Sequence, residues 1–297
     1  MTCKRARQSH GLSVLSSAVA VLTFVVVLGT LDAIASAPLF LPAVTYDSGG
    51  FGASMVAVAD VNGDGKPDLG VANCGSCSIF NDGSVGVLLG NGDGTFQPAV
   101  TYSSGGIIPL FVAIADVNGD GKPDLVVANR CGNNGCLNQA PVGVLLGNGD
   151  GTFQAAATYF SGGEFASSVA VADLNGDGKP DVLVANDCAD SNCDGSVGVL
   201  LGNGDGTFQA AVTYLSGGNE AFAIGVADVN KDGRPDLLVA TDVQVGGFFH
   251  GAVGVLLGNG GGTFQSAVTH FSGPGPWHRR EHRGCGPERR WQSRPRG

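Results

Sequence analysis

Asp-Val-Asn-Gly-Asp-Gly-Lys-Pro-Asp, residues Asp60 to Asp68, recurs along this chain, with close copies that begin at Asp116, Asp173 and Asp228. The intervals between the copies are 56, 57 and 55 residues. A fixed period of this size is typical of repeat architectures in which each repeat is one supersecondary unit. Each copy also carries several oxygen ligands, so the repeated unit includes a candidate metal loop.

Positions 1, 3, 5 and 9 of each copy offer side-chain oxygens, and the backbone carbonyl at position 7 adds another. Calcium accepts about six to eight oxygens in irregular geometry and fits better than magnesium, and the set contains no His or Cys for zinc. The glycine at position 6 falls where the chain turns sharply, so a positive φ is expected there. The predicted ligands are Asp60, Asn62, Asp64, Lys66 and Asp68; Asp116, Asn118, Asp120, Lys122 and Asp124; Asp173, Asn175, Asp177, Lys179 and Asp181; and Asp228, Asn230, Asp232, Arg234 and Asp236.

Two other loop types resemble these sequences. An EF-hand or dockerin loop shares the first five positions but requires an acid at position 12, where Val71 and its three counterparts stand. The proline at position 8 also disfavours helix at the residue before it, and β-forming residues follow. A plain Asx-turn that holds no ion remains the alternative.

Charge favours the metal interpretation. Residues 36–272 contain 23 acids and 6 bases, and 12 of the acids are loop aspartates. Carboxylates about 4 Å apart repel by roughly 1 kcal/mol per pair in water and about 4 kcal/mol at an effective dielectric of 20. We therefore expect metal binding to be a condition for ordered loops.

The rest of each repeat predicts four short strands. An alternating apolar run such as Val56-Ala-Val-Ala precedes each loop, and a second apolar run follows it. Val85-Gly-Val-Leu-Leu-Gly-Asn-Gly-Asp-Gly-Thr-Phe96 then predicts a hairpin, because Asn-Gly and Asp-Gly tolerate positive φ. Ala99-Val-Thr-Tyr102 provides the last strand. Four strands per unit predict an all-β fold, a β-propeller of four-stranded blades with about four intact repeats.

The repeat resembles the FG-GAP/VCBS repeats of the N-terminal propeller of integrin α chains and of many bacterial surface proteins. Phe51-Gly-Ala-Ser-Met-Val-Ala-Val-Ala-Asp60 is close to the family's opening phrase, and the resemblance covers about residues 40–272. It implies a calcium-binding propeller in which Ca²⁺ braces each blade. It also implies a ring of about seven blades, which four repeats leave incomplete. It does not imply integrin ligand recognition, since the family serves many functions.

Both ends of the chain depart from the repeat. Residues 1–35 contain Lys4, Arg5 and Arg7, an apolar stretch and Ala33-Ile-Ala35, which predicts a signal peptide; an uncleaved membrane anchor is the alternative. Residues 273–297 form an Arg-rich tail with 7 of the 16 basic residues. Read one nucleotide on, the codons for 281–296 permit Ser-Ile-Ala-Val-Ala-Asp-Leu-Asn-Gly-Asp-Gly-Lys-x-Asp, so we interpret the tail as a frameshifted fifth repeat. Residues 36–272 are then the repeat domain.

Six cysteines form one close pair in each of the first three repeats: Cys74/Cys77, Cys131/Cys136 and Cys188/Cys193. In an exported protein, local disulfides are the natural interpretation. Redox activity at Cys74-Gly-Ser-Cys77 is disfavoured because no helix start surrounds it. A zinc site between pairs is disfavoured too.

The sequence offers little for catalysis, so we expect no enzyme. His270 stands where other repeats have Tyr, His250 is expected to be an incidental exposed residue, and Asp187, Asp190 and Asp194 are interpreted as solvated charge. The four tyrosines are expected to pack rather than bind sugar. The acidic surface argues against nucleic acid. The predicted function is an exported, secreted or cell-surface module for adhesion or protein–protein interaction, with an extracellular protein partner and no membrane span after signal removal; the alternative is a lectin-like module that binds glycans.

Overall fold

The computed structural model describes residues 43–75, 82–132, 140–189 and 193–271. The predicted signal peptide (residues 1–35) and the predicted frameshifted tail (273–297) lie outside these residues, as do Cys77, Cys136 and Asp190. The described strands all belong to the structural unit that begins at Tyr46. The described residues contain no helix, and every pair of strands among them is antiparallel.

Each repeat folds into one four-stranded blade, as the sequence predicts. Blade 1 consists of β1 (Ala53–Ala59), β2 (Asp68–Asn73), β3 (Asp82–Leu88) and the first part of β4 (Val100–Ala115). Blade 2 consists of the rest of β4 with β5 (Asp124–Cys131), β6 (Pro141–Leu145) and β7 (Ala157–Phe160). Blade 3 consists of β8 (Glu164–Ala172), β9 (Asp181–Cys188), β10 (Ser196–Leu200) and β11 (Val212–Leu215). Blade 4 consists of β12 (Ala221–Ala227), β13 (Asp236–Val245), β14 (Phe248–Leu256) and β17 (Val268–Phe271), with the short hairpin β15 (Gly258–Gly260) and β16 (Thr263–Phe264).

The long strand β4 joins blades 1 and 2 into one seven-stranded sheet with the order β1 to β7. Its first residues pair with β3, and its second half pairs with β5. Blades 3 and 4 are separate four-stranded sheets, ordered β11-β10-β9-β8 and β12-β13-β14-β17. The four blades form an all-β, incomplete β-propeller.

The hairpin predicted after the third strand is confirmed in every blade. In blade 1, the backbone N–H of Asn91 donates to the carbonyl of Thr95 over 2.9 Å, and Gly90 bridges to Phe96. Gly147 with Phe153 and Gly202 with Phe208 form the same bridge, and in blade 4 it extends into β15 and β16. The Asn-Gly-Asp-Gly sequence of blades 1–3, and Asn-Gly-Gly-Gly in blade 4, therefore turn the chain in the way that left-handed glycines permit.

Three apolar interfaces between consecutive blades hold the fold together. We call the side of a blade that packs on the next blade its outgoing face, and the side that packs on the preceding blade its incoming face. At the first interface, the outgoing face of blade 1 contributes Val61, Ala72 and Val85, and the incoming face of blade 2 contributes Val112 and Leu125. The corresponding residues of later blades form the other two interfaces. Stability in such an array is roughly a sum of repeat terms and nearest-neighbour interface terms.

Tyr102, Tyr159 and Tyr214 pack across these interfaces, and Tyr46, which precedes blade 1, packs on blade 1 in the same way, so the packing role that the sequence predicts is confirmed. Each tyrosine ring meets the hairpin phenylalanine of the following blade edge to face, with ring centroids 5.3–5.6 Å apart. The pairs are Tyr46–Phe96, Tyr102–Phe153, Tyr159–Phe208 and Tyr214–Phe264. These rings are therefore committed to packing.

A glycine in each third strand allows the preceding blade's connection to pass close by. A Cβ added at Gly143 would overlap the carbonyl oxygen of Ser104, which follows the last strand of blade 1. The side chain of buried Asn129 donates to the same oxygen over 2.9 Å. Gly86, Gly198 and Gly254 face the equivalent serine carbonyls.

Candidate metal-binding loops

The four predicted metal loops connect the first strand of each blade to its second strand, between β1 and β2, β4 and β5, β8 and β9, and β12 and β13. Each blade therefore places its loop at the equivalent end of the sheet. The glycine at position 6 has the positive φ that the sequence predicts, with values of 78° at Gly65, 80° at Gly121, 79° at Gly178 and 82° at Gly233.

The side chains at positions 1, 3 and 5 shape the loop by accepting hydrogen bonds from its own backbone. In loop 1, Asp60 accepts from the N–H of Gly63 and Gly65, both over 2.7 Å. Asn62 accepts from the N–H of Asp64 over 3.0 Å, and Asp64 accepts from the N–H of Lys66 over 2.9 Å. Loops 2 and 3 repeat this pattern, and loop 4 repeats most of it. The bonds that Asn62 and Asp64 accept come from the residue two positions on and are successive Asx-turns, whereas those that Asp60 accepts come from three and five positions on.

The aspartate at position 9 is buried and ties the loop to the far side of the same blade. Asp68 is fully buried, and its two oxygens accept from the N–H of Val61 over 2.9 Å and of Gly90 over 2.7 Å. The same two bonds occur at Asp124, Asp181 and Asp236. Burial is the largest influence on Asp124 and Asp181 and raises the pKa of both carboxyls, although the backbone donors act in the opposite direction. Sequence reasoning predicted only a ligand here, and missed this structural tie.

Lysine at position 7 adds a cation to the rim of the loop. The ammonium of Lys66 lies 3.1 Å from Asp64, and that of Lys122 lies 3.8 Å from Asp120. The pKa of Asp64 lies below its ordinary value, first because of the backbone hydrogen bond from Lys66 and then because of the Lys66 side chain. Both pairs are well exposed, so they contribute little to stability.

The metal ligands that the loops offer are all oxygen atoms, which fits a hard cation such as calcium. A carboxylate oxygen has two acceptor sites, and the backbone N–H groups of Val61 and Gly90 use one of them on each oxygen of Asp68. Among the described residues, however, no three His, Cys, Asp or Glu side chains converge as a metal site requires. The loops therefore have the oxygen ligands and the turn geometry of a calcium loop. Hydrogen bonds from the loop's own backbone N–H groups hold these side chains in place.

Loop 4 differs from the other three in charge and in backbone conformation. Lys231 stands where loops 1–3 have Gly63, Gly119 and Gly176, and it adopts a left-handed φ of 62°. A side chain in this region costs about 1–2 kcal/mol relative to glycine. With Arg234 at position 7, this loop carries two cationic side chains, so it is the weakest candidate for a metal.

The sequence interpretation is wrong for two residues that break the repeat, Asp187 and His250. Asp187 is not solvated: it is 6% exposed, and its carboxylate pairs with Arg130 of the preceding blade over 2.9 Å. The Arg130 guanidinium also lies 5.0 Å from the Phe165 ring centroid. Burial raises the pKa of Asp187 to about 6, against the opposing effect of Arg130. Asp194 is exposed, as predicted.

His250 is buried rather than exposed. It is 7% exposed in β14, where it pairs with Val243 of β13, and its Nδ1 is buried without a hydrogen-bond partner among the described residues. The pairing of His250 with Val243 belongs to the β13–β14 hairpin, which in blade 4 extends to a turn at Gly246 and Gly247. His270, the tyrosine counterpart, is exposed in β17.

The cysteine prediction is confirmed where both partners are described, because Cys188 and Cys193 form a disulfide. Cys74 and Cys131 are also disulfide-bonded. Cys131 and Cys188 are the last residues of β5 and β9, and Cys74 follows β2, so these three cysteines lie at the end of the second strand opposite the acidic loop.

Blades of four antiparallel strands, an acidic loop after each first strand and apolar interfaces between neighbours define a propeller-type repeat protein. The FG-GAP-like repeat model matches residues 60–127, 116–184 and 185–239, more than half of the chain. The chain belongs to the FG-GAP-like repeat family.

The chain is 28% identical over 221 residues to integrin alpha-IIb of Mus musculus, which covers 66% of this chain and 21% of that protein. It spans about a fifth of that relative's length. Among solved structures, the V. cholerae biofilm matrix protein Bap1 is 20% identical with a TM-score of 0.36, over 78% of this chain and 40% of that one. The Photorhabdus luminescens Tc holotoxin pore is 17% identical with a TM-score of 0.33, over 78% of this chain and 10% of that one. In the part of the chain that the structure describes, no helix is long and apolar enough to span a bilayer.

Proposed function

We propose that this chain is an exported, calcium-binding propeller module that acts in adhesion or protein–protein interaction and has no catalytic activity. Family membership and the similarity to an integrin α chain support the interaction role. The observation that carries the calcium proposal is the fourfold recurrence of one oxygen-only loop with the same backbone turn.

Calcium would be held by the residues at positions 1, 3, 5, 7 and 9 that the sequence predicts. A bound calcium ion would supply positive charge that offsets the repulsion between the carboxylates. The chain's own backbone donors orient these carboxylates, since each of Asp60, Asn62 and Asp64 is fixed by at least one N–H of its loop. Affinity on the order of 10⁻⁴ to 10⁻³ M is expected, as for extracellular modules.

Titration calorimetry of the chelator-stripped chain with calcium chloride tests the proposal. Asp120→Asn removes a charge from an exposed ligand of loop 2, and is expected to eliminate or weaken one class of sites. The matched control is Asp150→Asn in the same blade, because Asp150 is an exposed aspartate bonded to Thr152 and outside the predicted ligand set. If stripped protein takes up no calcium, or if both variants bind like the parent chain, the loops are Asx-turns without a metal.

Export is proposed from the predicted signal peptide and is supported by the disulfides, which persist in oxidising compartments. The similarity to an integrin α chain points to an extracellular or surface location. Mass spectrometry of the secreted chain is expected to find an N-terminus near Ser36. A mature chain that keeps residues 1–35 would indicate an anchor instead.

Glycan binding is the second candidate, and one feature of blade 4 favours it. The tip of the β13–β14 hairpin exposes the ring of Phe248, which is 61% accessible, beside the half-exposed Phe249. Exposed aromatic faces are the surfaces on which sugars stack, and the tyrosines are unavailable because they pack on phenylalanines. A glycan array with Phe248→Ala, and with exposed Phe160→Ala of blade 2 as the control, tests this candidate. The absence of binding to any glycan would reject this candidate, and binding that Phe248→Ala leaves unchanged would reject Phe248 as its contact.

A further inference from the structure

The outgoing face of blade 4 is uncovered, unlike that of every other blade. Val253 is 40% exposed, whereas its counterparts in blades 1–3 are at most 1% exposed. Val229 is 46% exposed, whereas its counterparts are at most 2% exposed. The respective counterparts are Val85, Val142 and Val197, and Val61, Val117 and Leu174. Ala240 and Val253 line a shallow groove of about 380 Å³ on this face, together with Phe222 and His270.

The incoming face of blade 1 is uncovered in the same way. Val56 is 48% exposed and Val58 is 62% exposed, whereas Val112 and Val169, the counterparts of Val56, are at most 3% exposed. Exposed valines in an alternating strand present a flat apolar strip, which a soluble protein leaves bare only where another surface packs.

The two uncovered faces are the two halves of the interface that the chain already forms three times. A Cβ added at hairpin residue Gly151 would lie 2.8 Å from Leu89, because the hairpin of blade 2 sits on that leucine of blade 1. Gly206 meets Leu146 and Gly262 meets Leu201 in the same way. A Cβ added at Gly94 of blade 1 would meet nothing within 4 Å. Leu257 is the equivalent leucine of blade 4. Among the described residues, no hairpin of a following blade packs on it.

We propose that the outgoing face of blade 4 packs on the incoming face of blade 1 of a second copy of this chain. Two copies of four blades then close into a ring of eight, within the range of about 4–8 blades that propellers adopt. The interface is heterologous, and two such contacts related by a twofold axis complete the ring. Residues 272–297 contain no Val, Ile, Leu or Phe, so their composition differs from that of the incoming faces, which are built on valine and leucine.

One element makes the contact between copies weaker than the internal interfaces. Phe96 of blade 1 already packs on Tyr46 of its own chain, with centroids 5.3 Å apart. At the internal interfaces, the hairpin phenylalanine packs on the tyrosine in the last strand of the preceding blade. The last strand of blade 4 carries His270 at this tyrosine position. Docking therefore requires the Tyr46 segment to leave Phe96, and association is expected to depend on protein concentration.

Sedimentation equilibrium of the purified chain across two decades of concentration tests the proposal, using two charge variants. Val253→Asp blocks the outgoing face and Val58→Asp blocks the incoming face. Both side chains are exposed in the single chain, so neither substitution buries a charge in the folded monomer. Val212→Asp is the matched control, because Val212 and its counterparts Val100 and Val268 in the outer strands are more than half exposed.

The parent chain and Val212→Asp are expected to reach a dimer, and each face variant alone is expected to stay monomeric. An equimolar mixture of the two face variants is expected to form an open 1:1 dimer through the one contact in which both faces are intact, and to associate more weakly than the parent chain because its second contact is blocked. A parent chain that is monomeric throughout, face variants that associate like the parent, or a mixture that stays monomeric would each overturn the proposal. Growth of the parent beyond two copies would retain the contact but overturn the closed ring.

Discussion

Replacement of Asp181 by alanine tests whether the position-9 aspartate is a structural tie or only a metal ligand. Asp181 is fully buried, and its oxygens accept from the N–H of Leu174 over 2.9 Å and of Gly202 over 2.8 Å. Both donor residues are buried, so alanine leaves two N–H groups without partners. Each such group costs about 1–3 kcal/mol. Removal of a carboxylate whose pKa is raised by burial relieves part of this cost.

The expected loss for Asp181→Ala is therefore about 3 kcal/mol in the free energy of unfolding, a large share of the roughly 5–15 kcal/mol typical of folded domains. Asp181→Asn keeps one acceptor oxygen, so we expect about half that loss. The matched control is Asp177→Ala in the same loop. Asp177 is exposed and its bond is to the neighbouring Lys179 backbone, so its loss is expected to stay below about 1 kcal/mol without calcium.

Urea unfolding followed by circular dichroism measures these losses, with calcium and with chelator. A structural tie predicts that the Asp181→Ala loss persists in chelator, because Leu174 and Gly202 lose their acceptor in either condition. The reasoning is refuted if the loss occurs only in calcium, or if Asp177→Ala costs as much as Asp181→Ala in chelator.

Three further predictions concern pH, backbone strain and metal. The raised pKa of Asp187, about 6 against 3.8, means that the contribution of its protonated form to stability is complete below pH 3.8 and is lost as pH rises through about 6. The free energy of unfolding should then fall by about 1 kcal/mol from pH 5 to pH 7, and Asp187→Asn should flatten this slope in urea titrations. Lys231→Gly is expected to raise the free energy of unfolding by about 0.5–1 kcal/mol because it removes a left-handed side chain, whereas Lys179→Gly, at a solvent-exposed position without positive φ, should not stabilise. Chelator should lower the melting temperature in one cooperative step, and an unchanged melt in calorimetry would contradict structural calcium.

The sequence predicts the repeat and its strands well, because these depend on local pattern. The alternating apolar run before each loop and the glycine-rich hairpin specify strands and turns without reference to distant residues. The left-handed φ of Gly65 and the packing of Tyr102 were predictable for the same reason, since each recurs in register.

What the sequence could not predict depends on neighbouring blades or on residues far along the chain. The sequence around Asp68 is equally consistent with a metal ligand and with a structural hydrogen-bond acceptor. Only the fold brings the N–H of Gly90, 22 positions along the chain, to the Asp68 carboxylate. Asp187 is buried because the equivalent position of the preceding blade carries Arg130, which supplies an opposite charge. The sequence contained a signal for this ion pair, because Arg130 and Asp187 occupy the same repeat position and carry opposite charges.

The acidic loops and the interfaces between blades are mechanically linked, which makes one last prediction possible. A Cβ added at Gly151, in the hairpin of blade 2, would lie 3.4 Å from the Cβ of Asn62, and Gly206 stands in the same relation to Asn118. A cation that stiffens loop 1 or loop 2 therefore also stiffens the seat of the following hairpin. Loop 4 has no following blade among the described residues.

Asp120→Asn in loop 2 is accordingly expected to lower the melting temperature in calcium by several degrees more than Asp232→Asn in loop 4. A loss of 1 kcal/mol shifts the midpoint of a domain of this size by about 2–4 °C. Differential scanning calorimetry of both variants, each with and without chelator, measures the difference. Equal shifts in calcium would show that the metal acts within single blades, and a larger shift for Asp232→Asn would contradict the link between loop and interface.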